Sequence, residues 1–148
     1  MSIVFREATR EDVMAAVDLL RDDGLGSVRE IGSEETYLAA FEAMQASRDN
    51  LLIVGELNGD VVATYQIILI PGVSLQGALR AQLEGVRVAS HLRGQGFGHL
   101  LIADAKSRAT AKGARLIQLT MNQSRTEARR FYEDVGFEAS HTGFKMTL

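Results

Sequence analysis

The chain contains no cysteine and no tryptophan, and its one proline, Pro71, is followed by Gly72 at the end of an apolar run. Without thiols there is no disulfide framework, no cysteine-based metal site and no cysteine nucleophile. No apolar run reaches the roughly 18 residues that a membrane span needs. The N-terminus lacks the charged-then-apolar pattern of a secretory signal. Positive charge is not in excess: 16 Lys and Arg against 19 Asp and Glu give a net charge of −3. That balance argues against a nucleic-acid partner, whose binding surface is usually basic. His91 and His99 are separated by a glycine-rich stretch and do not combine with His141 into a metal-ligand set. No serine sits in a G-x-S-x-G elbow. The expectation is a cytoplasmic protein with no metal, no membrane association and no nucleic acid.

What is present fits one globular domain. The 148 residues, 46% hydrophobic and 24% charged, suffice for one sizeable core. Ile3 to Glu7 reads as a strand. Thr9 opens a helix to about Asp22, with Asp12 three residues after the candidate cap. Val13, Ala16, Val17 and Leu20 form its apolar stripe. Gly24 to Gly32 reads as a polar loop. A second helix runs from Ser33 to about Ser47, with Tyr37, Leu38, Phe41 and Met44 on one face. Leu51 to Leu57 and Val61 to Ile70 are apolar strands around Asn58-Gly59, a strong hairpin signal. A loop from Pro71 to about Gly77 leads into a strand from Ala78 to Val88. A helix follows over Gly96 to Lys112, with Phe97, Leu100, Leu101, Ala105 and Ala109 inward. Leu116 to Met121 is a strand, Thr126 to Val135 a short helix stopped by Gly136, and Phe137 to Leu148 the last strand or strands. This order, a hairpin mixed with β-α-β crossovers, predicts an α/β (α+β) single domain: one mixed sheet flanked by helices on both faces.

The most informative stretch is Glu84-Gly85-Val86-Arg87-Val88, then Arg93-Gly94-Gln95-Gly96-Phe97-Gly98. A strand, a glycine turn and a helix start make a phosphate site. Glycine permits positive φ and close approach to bare backbone, and the first-turn N–H groups have no partners within the helix. Arg93 can add a fixed cation. Neither a P-loop nor a dinucleotide fingerprint is present, because the order is G-x-G-x-G.

The order Arg93-x-x-Gly96-x-Gly98 after a Val-x-Val strand resembles the pyrophosphate loop of the GCN5-related N-acetyltransferase (GNAT) family. Asn122 at a strand end and Ala128-x-x-Phe131-Tyr132-x-x-x-Gly136-Phe137 extend the likeness, which is strongest over residues 80 to 140. Ser90 departs from the proline often found there in the family, a change expected to affect loop stiffness. The resemblance implies the GNAT fold, acetyl-CoA as acetyl donor, and a small-molecule amine as acceptor. It implies coenzyme contacts from Val86, Arg87, Val88, Arg93, Gly94, Gln95, Gly96, Phe97, Gly98, Asn122 and Tyr132. It also implies that Tyr132 protonates the departing sulfur and that a strand glutamate, here Glu84, acts as general base through water. Strand alternation puts Glu84 on the same face as Val86 and Val88, so a bulge is required if those two face the core. Otherwise Glu84 is a solvated strand residue, as Tyr132 by its spacing alone is a core residue. Arg80, Gln82 and Arg87 could line an acceptor cleft, and Arg80 would suit an acidic group on the acceptor. Asn122 equally fits an Asx turn. An acyl-CoA-binding regulatory module and a protein N-terminal or lysine acetyltransferase are the alternatives. Free strand edges would permit a homodimer.

Overall fold

Asn58 and Gly59 both adopt positive φ, 55° and 88°, as a mirror-image hairpin turn requires. They join β2 (Asn50–Leu57) to β3 (Asp60–Ile70). The computed structural model of the protein describes residues 2–148. β1 (Val4–Glu7) pairs antiparallel with β2, and β4 (Arg80–Val88) antiparallel with β3. β5 (Leu116–Leu119) runs parallel to β4, giving one mixed sheet in the order β1-β2-β3-β4-β5. The helices are α1 (Val13–Arg21), α2 (Gly26–Arg29), α3 (Glu34–Gln45), a single turn α4 (Ser74–Gly77), α5 (Phe97–Ala111) and α6 (Thr126–Asp134). A short 3₁₀ turn, Arg10–Asp12, precedes α1, and Thr9 N–H donates to Asp12 Oδ2 at 2.7 Å. Ser33 caps α3 by accepting from Thr36 N–H.

Strand alternation divides the core. Ile53 packs with Tyr65, Leu83, Leu101 and Ala105 beneath α5. Its neighbour Val54 faces the other way, onto Val13, Ala16, Val17 and Phe41 of α1 and α3. Burying such side chains stabilises by about 1.5–3 kcal/mol each, so both faces hold their helices. Tyr65 reaches through the α5 side, donating to Asp104 Oδ2 at 2.6 Å. Among the described residues no helix is long and apolar enough to cross a membrane.

Four expectations are corrected. The Gly24–Gly32 loop contains α2, whose start at Gly26 packs so tightly on the Leu20 carbonyl that a Cβ there would lie 1.7 Å from the oxygen. Leu100 is half exposed and Ile102 is buried instead, because α5 turns the 101, 102, 105, 109 face to the sheet. β4 begins at Arg80 and β5 ends at Leu119, since their shared ladder stops there. Residues 137–148 form no strand. The chain passes Thr120 at Gly143 without ladder pairing, and Phe144, Met146 and Leu148 stand in solvent. Glycine within a would-be strand weakens it, and the polar Ser140-His141-Thr142 run has no apolar face to bury.

Candidate active site

β4 and β5 pair only over Arg80–Leu83 and Leu116–Leu119. Beyond Leu83, β4 continues to Val88 without β5 beside it, so the strands part and leave a backbone edge open. On the β3 side of the same stretch, the step from Thr64 to Gln66 opposes the longer step from Glu84 to Arg87. That is a β-bulge, and Gly85 adopts φ +57° within it. The extra residue resolves the alternation problem. Val86 and Val88 pack on the α5-side core, whereas Glu84 pairs opposite Gln66 and is exposed.

The glycine turn closes the open end. A 3₁₀ turn, Ser90–Leu92, leads into Gly94 (φ +75°) and Gly96 (φ +88°), and Gly96 caps α5 without a side chain. A Cβ at either glycine would meet no protein atom within 4 Å, so the space above them is open. Gly98 differs: its missing side chain admits the Phe131 ring, 3.0 Å from where a Cβ would lie. Gln95 Nε2 donates to the His91 carbonyl at 3.1 Å and braces the turn. Arg93 donates from Nε to the Val88 carbonyl and from Nη2 to the Asp22 carbonyl. Asp22 Oδ2 in turn accepts from Ser90 N–H at 2.9 Å, which holds its pKa below the usual carboxylate range.

A polar row crosses the sheet face opposite α5. Gln118 on β5 donates to Gln82 Oε1 at 2.7 Å, and Gln82 Nε2 donates to Glu84 Oε1 at 3.2 Å. On the other flank Gln66 Nε2 donates to Asn50 Oδ1 at 2.7 Å. The relay through Gln82 orients the Glu84 carboxylate.

Asp23, next to Asp22, forms the second anchor. Its Oδ2 lies 3.1 Å from Arg87 Nε and 3.0 Å from Arg125 Nη1. Oδ1 accepts from Gly26 N–H. Burial opposes its ionisation, but Gly26 N–H and the two guanidinium groups outweigh that and hold its pKa at about 2. Burial pushes the Arg87 pKa down, with Asp23 opposing and Arg125 and Arg29 assisting. Arg87 Nη1 also donates to the Val86 carbonyl at 2.9 Å.

Tyr132 comes from the α5 side of the sheet. Gly136 (φ +106°) ends α6, and Phe137 N–H donates back to the Tyr132 carbonyl at 2.9 Å, a Schellman closure. Edge-on contacts with Phe131 and Phe137, centroids 5.3 and 5.7 Å away, fix the ring. Burial raises the phenol pKa, and the fields of Arg87 and Arg125 oppose the rise. Tyr132 therefore holds its proton close to the arginine pair. Asn122 Oδ1 accepts from Ser124 N–H and Ser124 Oγ, the Asx turn that introduces α6.

Of the residues the sequence singled out, Glu84 and Arg87 lie on β4 where it runs on without β5, Tyr132 packs in the cluster that holds Val86 and Val88, and the glycine turn follows the end of β4. Arg80 stands at the far end of β4, in the paired section. Asp23, Arg125, Gln66 and Gln118 were missed. Gln66 and Gln118 are polar residues in otherwise apolar strands and Asp23 stands beside Gly24, whereas Arg125, in the polar segment before α6, carries no signal in the sequence. Two cavities, of about 380 and 200 Å³, lie near Lys112 at the other end of α5, away from this site. Among the described residues no group of three His, Asp or Glu side chains could hold a metal.

The family model for the acetyltransferase (GNAT) family matches residues 14–137. The chain belongs to the GNAT family. A solved structure, of a transcriptional regulator from Bacillus halodurans C-125, superposes with a TM-score of 0.94 at 41% identity, covering 99% of this chain and 100% of that one. The aminoalkylphosphonate N-acetyltransferase of Salmonella typhimurium is 36% identical over 67 residues, which span 45% of this chain and 44% of that protein. The uncharacterized N-acetyltransferase YhfO of Bacillus subtilis is 28% identical across 94% of this chain and 91% of its own length. GNAT membership fits the mixed sheet and the parted strands.

Proposed function

We propose that the protein transfers an acetyl group from acetyl-CoA to a primary amine of a small molecule, directly, in a ternary complex. The observation that carries this reading is the open β4 edge, with Glu84 on one side of the sheet, Tyr132 approaching from the other, and the glycine turn at its end. The residues fit the coenzyme. Gly94 and Gly96 leave open space over an uncapped helix start, which suits a pyrophosphate. Gln95, Phe97 and Gly98 shape that turn, Arg93 lies beside it, and Val86 to Val88 offer the edge for the pantetheine arm. Asn122 stands at the end of β5's continuation, where its amide nitrogen can meet the coenzyme. Acetyl-CoA, when bound, supplies the acetyl group as a thioester with a good leaving group.

The chain's own residues supply the proton transfers. An amine with a pKa of about 10 must lose a proton before it attacks, and Glu84, oriented by Gln82, accepts it through water. Tyr132 keeps its phenol proton and delivers it to the departing sulfur. With no thiol in the chain and no serine in a nucleophile setting, no acetyl-enzyme is expected. The reading includes a cytoplasmic setting and a homodimer built on the free sheet edges of β1 and β5.

The Bacillus halodurans relative, described as a transcriptional regulator, favours one second reading: an acyl-CoA-binding regulatory module with little turnover. Release of free coenzyme A from acetyl-CoA, followed with a panel of small amines and lysine or N-terminal peptides, separates the readings. Amine-dependent release that is fastest with small amines is the expected result. Tight coenzyme binding with no release for any acceptor would leave the regulatory module, and preference for peptides would leave the protein acetyltransferase.

A further inference from the structure

The loop after α1, the turn α2, strand β4 and the loop before α6 converge on one carboxylate. Asp23 is contacted on the same oxygen by Arg87 and Arg125, and its other oxygen is occupied by Gly26 N–H. The three side chains are 15%, 14% and 25% exposed. Two guanidinium groups on one carboxylate leave one positive charge in surplus in a mostly buried place. Arg29, close enough for its field to reach Arg87, adds a cation at the rim, itself paired with Glu30 at 3.3 Å. As a tie between two loops, one arginine on Asp23 would suffice.

The donors are also incompletely used. Arg87 Nε and Asp23 Oδ2 are both buried and neither is aligned for a hydrogen bond, although they lie 3.1 Å apart. A half-buried surplus cation is costly unless an anion meets it. Guanidinium groups favour carboxylate and tetrahedral oxyanions because their paired donors match two oxygens at once. The cluster shares the β4 face of Glu84: Arg87 pairs opposite Thr64 and Glu84 opposite Gln66, on alternate residues of β3. It also lies close enough to Tyr132 for its charge to act on the phenol. An amine held between Glu84 and Tyr132 thus has the surplus charge within reach of its own substituents.

We propose that the acceptor is an amine that also carries an anionic oxyacid group, a carboxylate or a phosphonate. Arg125 and Arg87 bind that group while the amine faces Glu84. This rests on the acetyltransferase reading above and narrows its substrate class. The surplus charge belongs to the acceptor side, because the glycine turn is anchored separately through Asp22, Ser90 and Arg93.

The test compares acceptors of similar length: 3-aminopropylphosphonate, 4-aminobutanoate and the uncharged 4-amino-1-butanol. Wild-type kcat/KM should favour at least one anionic acceptor over the neutral one by tenfold or more, and the two anionic arms identify the oxyacid. Arg125→Gln should cut that ratio by tenfold or more, mainly through KM, and Arg125→Lys should restore part of it. Arg29→Gln, at an exposed position, should cut it less and leave Tm unchanged, which covers the case in which Arg125→Gln folds poorly. Calorimetry with propylphosphonate and butanoate, which lack the amine, reads the anion site without turnover. Binding of either by the wild type, weakened in Arg125→Gln, supports the site even if no amine is acetylated, and the transferase reading alone then fails. Equal kcat/KM for charged and neutral acceptors in wild type and variants, or binding of neither anion, overturns the proposal.

Discussion

At the residue scale, Tyr132 and Glu84 show two kinds of legibility. Tyr132 stood out because Phe131, Gly136 and Phe137 surround it at fixed spacing, and these are the groups that hold its ring and close its helix. A phenol that donates to the departing sulfur acts mainly in the transition state, so its loss should appear in kcat and not in affinity. Tyr132→Phe is expected to lower kcat at saturating acetyl-CoA by roughly tenfold or more, near the low end for general acid catalysis, with coenzyme affinity and Tm retained. Wild-type kcat in this variant would make the hydroxyl a bystander. Glu84 was legible as a residue but not as a direction. Alternation alone puts it on the core-facing side, and only the bulge at Gly85 turns it outward. Glu84→Gln should depress the rate most at low pH and progressively less as pH rises and free amine accumulates. A small, pH-independent effect would return Glu84 to a structural role. Asp23 was not legible, because its meaning lies in Arg87 and Arg125, which are distant in sequence.

At the element scale, the strand, glycine turn and helix of residues 84–98 followed from glycine chemistry, and so did the hairpin at Asn58-Gly59. The individual glycines do different jobs. Gly96 holds a left-handed cap beneath open space, whereas Gly98 yields its volume to Phe131. Gly96→Glu puts a charged side chain at a left-handed position and into the space proposed for the pyrophosphate. Calorimetry should show acetyl-CoA binding largely lost, and unchanged affinity would move the coenzyme elsewhere. The expected strand after α6 failed for a reason also set by elements. β5 is only four residues long, and the tail beside it has a glycine where a strand needs a side chain to pack.

At the scale of the whole molecule, the order of elements and the two-faced core were readable from periodicity, while the ties between distant loops were not. Those ties make acid stability a global property. Asp23 falls from 3.8 to about 2 on folding, held by Gly26 N–H, Arg125 and Arg87 against the cost of burial. Asp12 does the same, chiefly through Arg6. A lowered folded-state pKa adds stability that is present in full above the unfolded pKa near 3.8 and is lost as pH falls toward 2. Each shift is worth about 2 kcal/mol. Asp23→Asn should therefore lower Tm at neutral pH and flatten its decline between about pH 4 and 2; an unchanged acid limb would show the carboxylate to be uncoupled from folding. The adjacency of Asp22 and Asp23 has a further consequence. One residue ties down the glycine turn and the next ties down the arginine pair, so the halves proposed for donor and acceptor are surveyed from a single benchmark. A drift of that loop displaces both halves together and largely cancels in the distance between them.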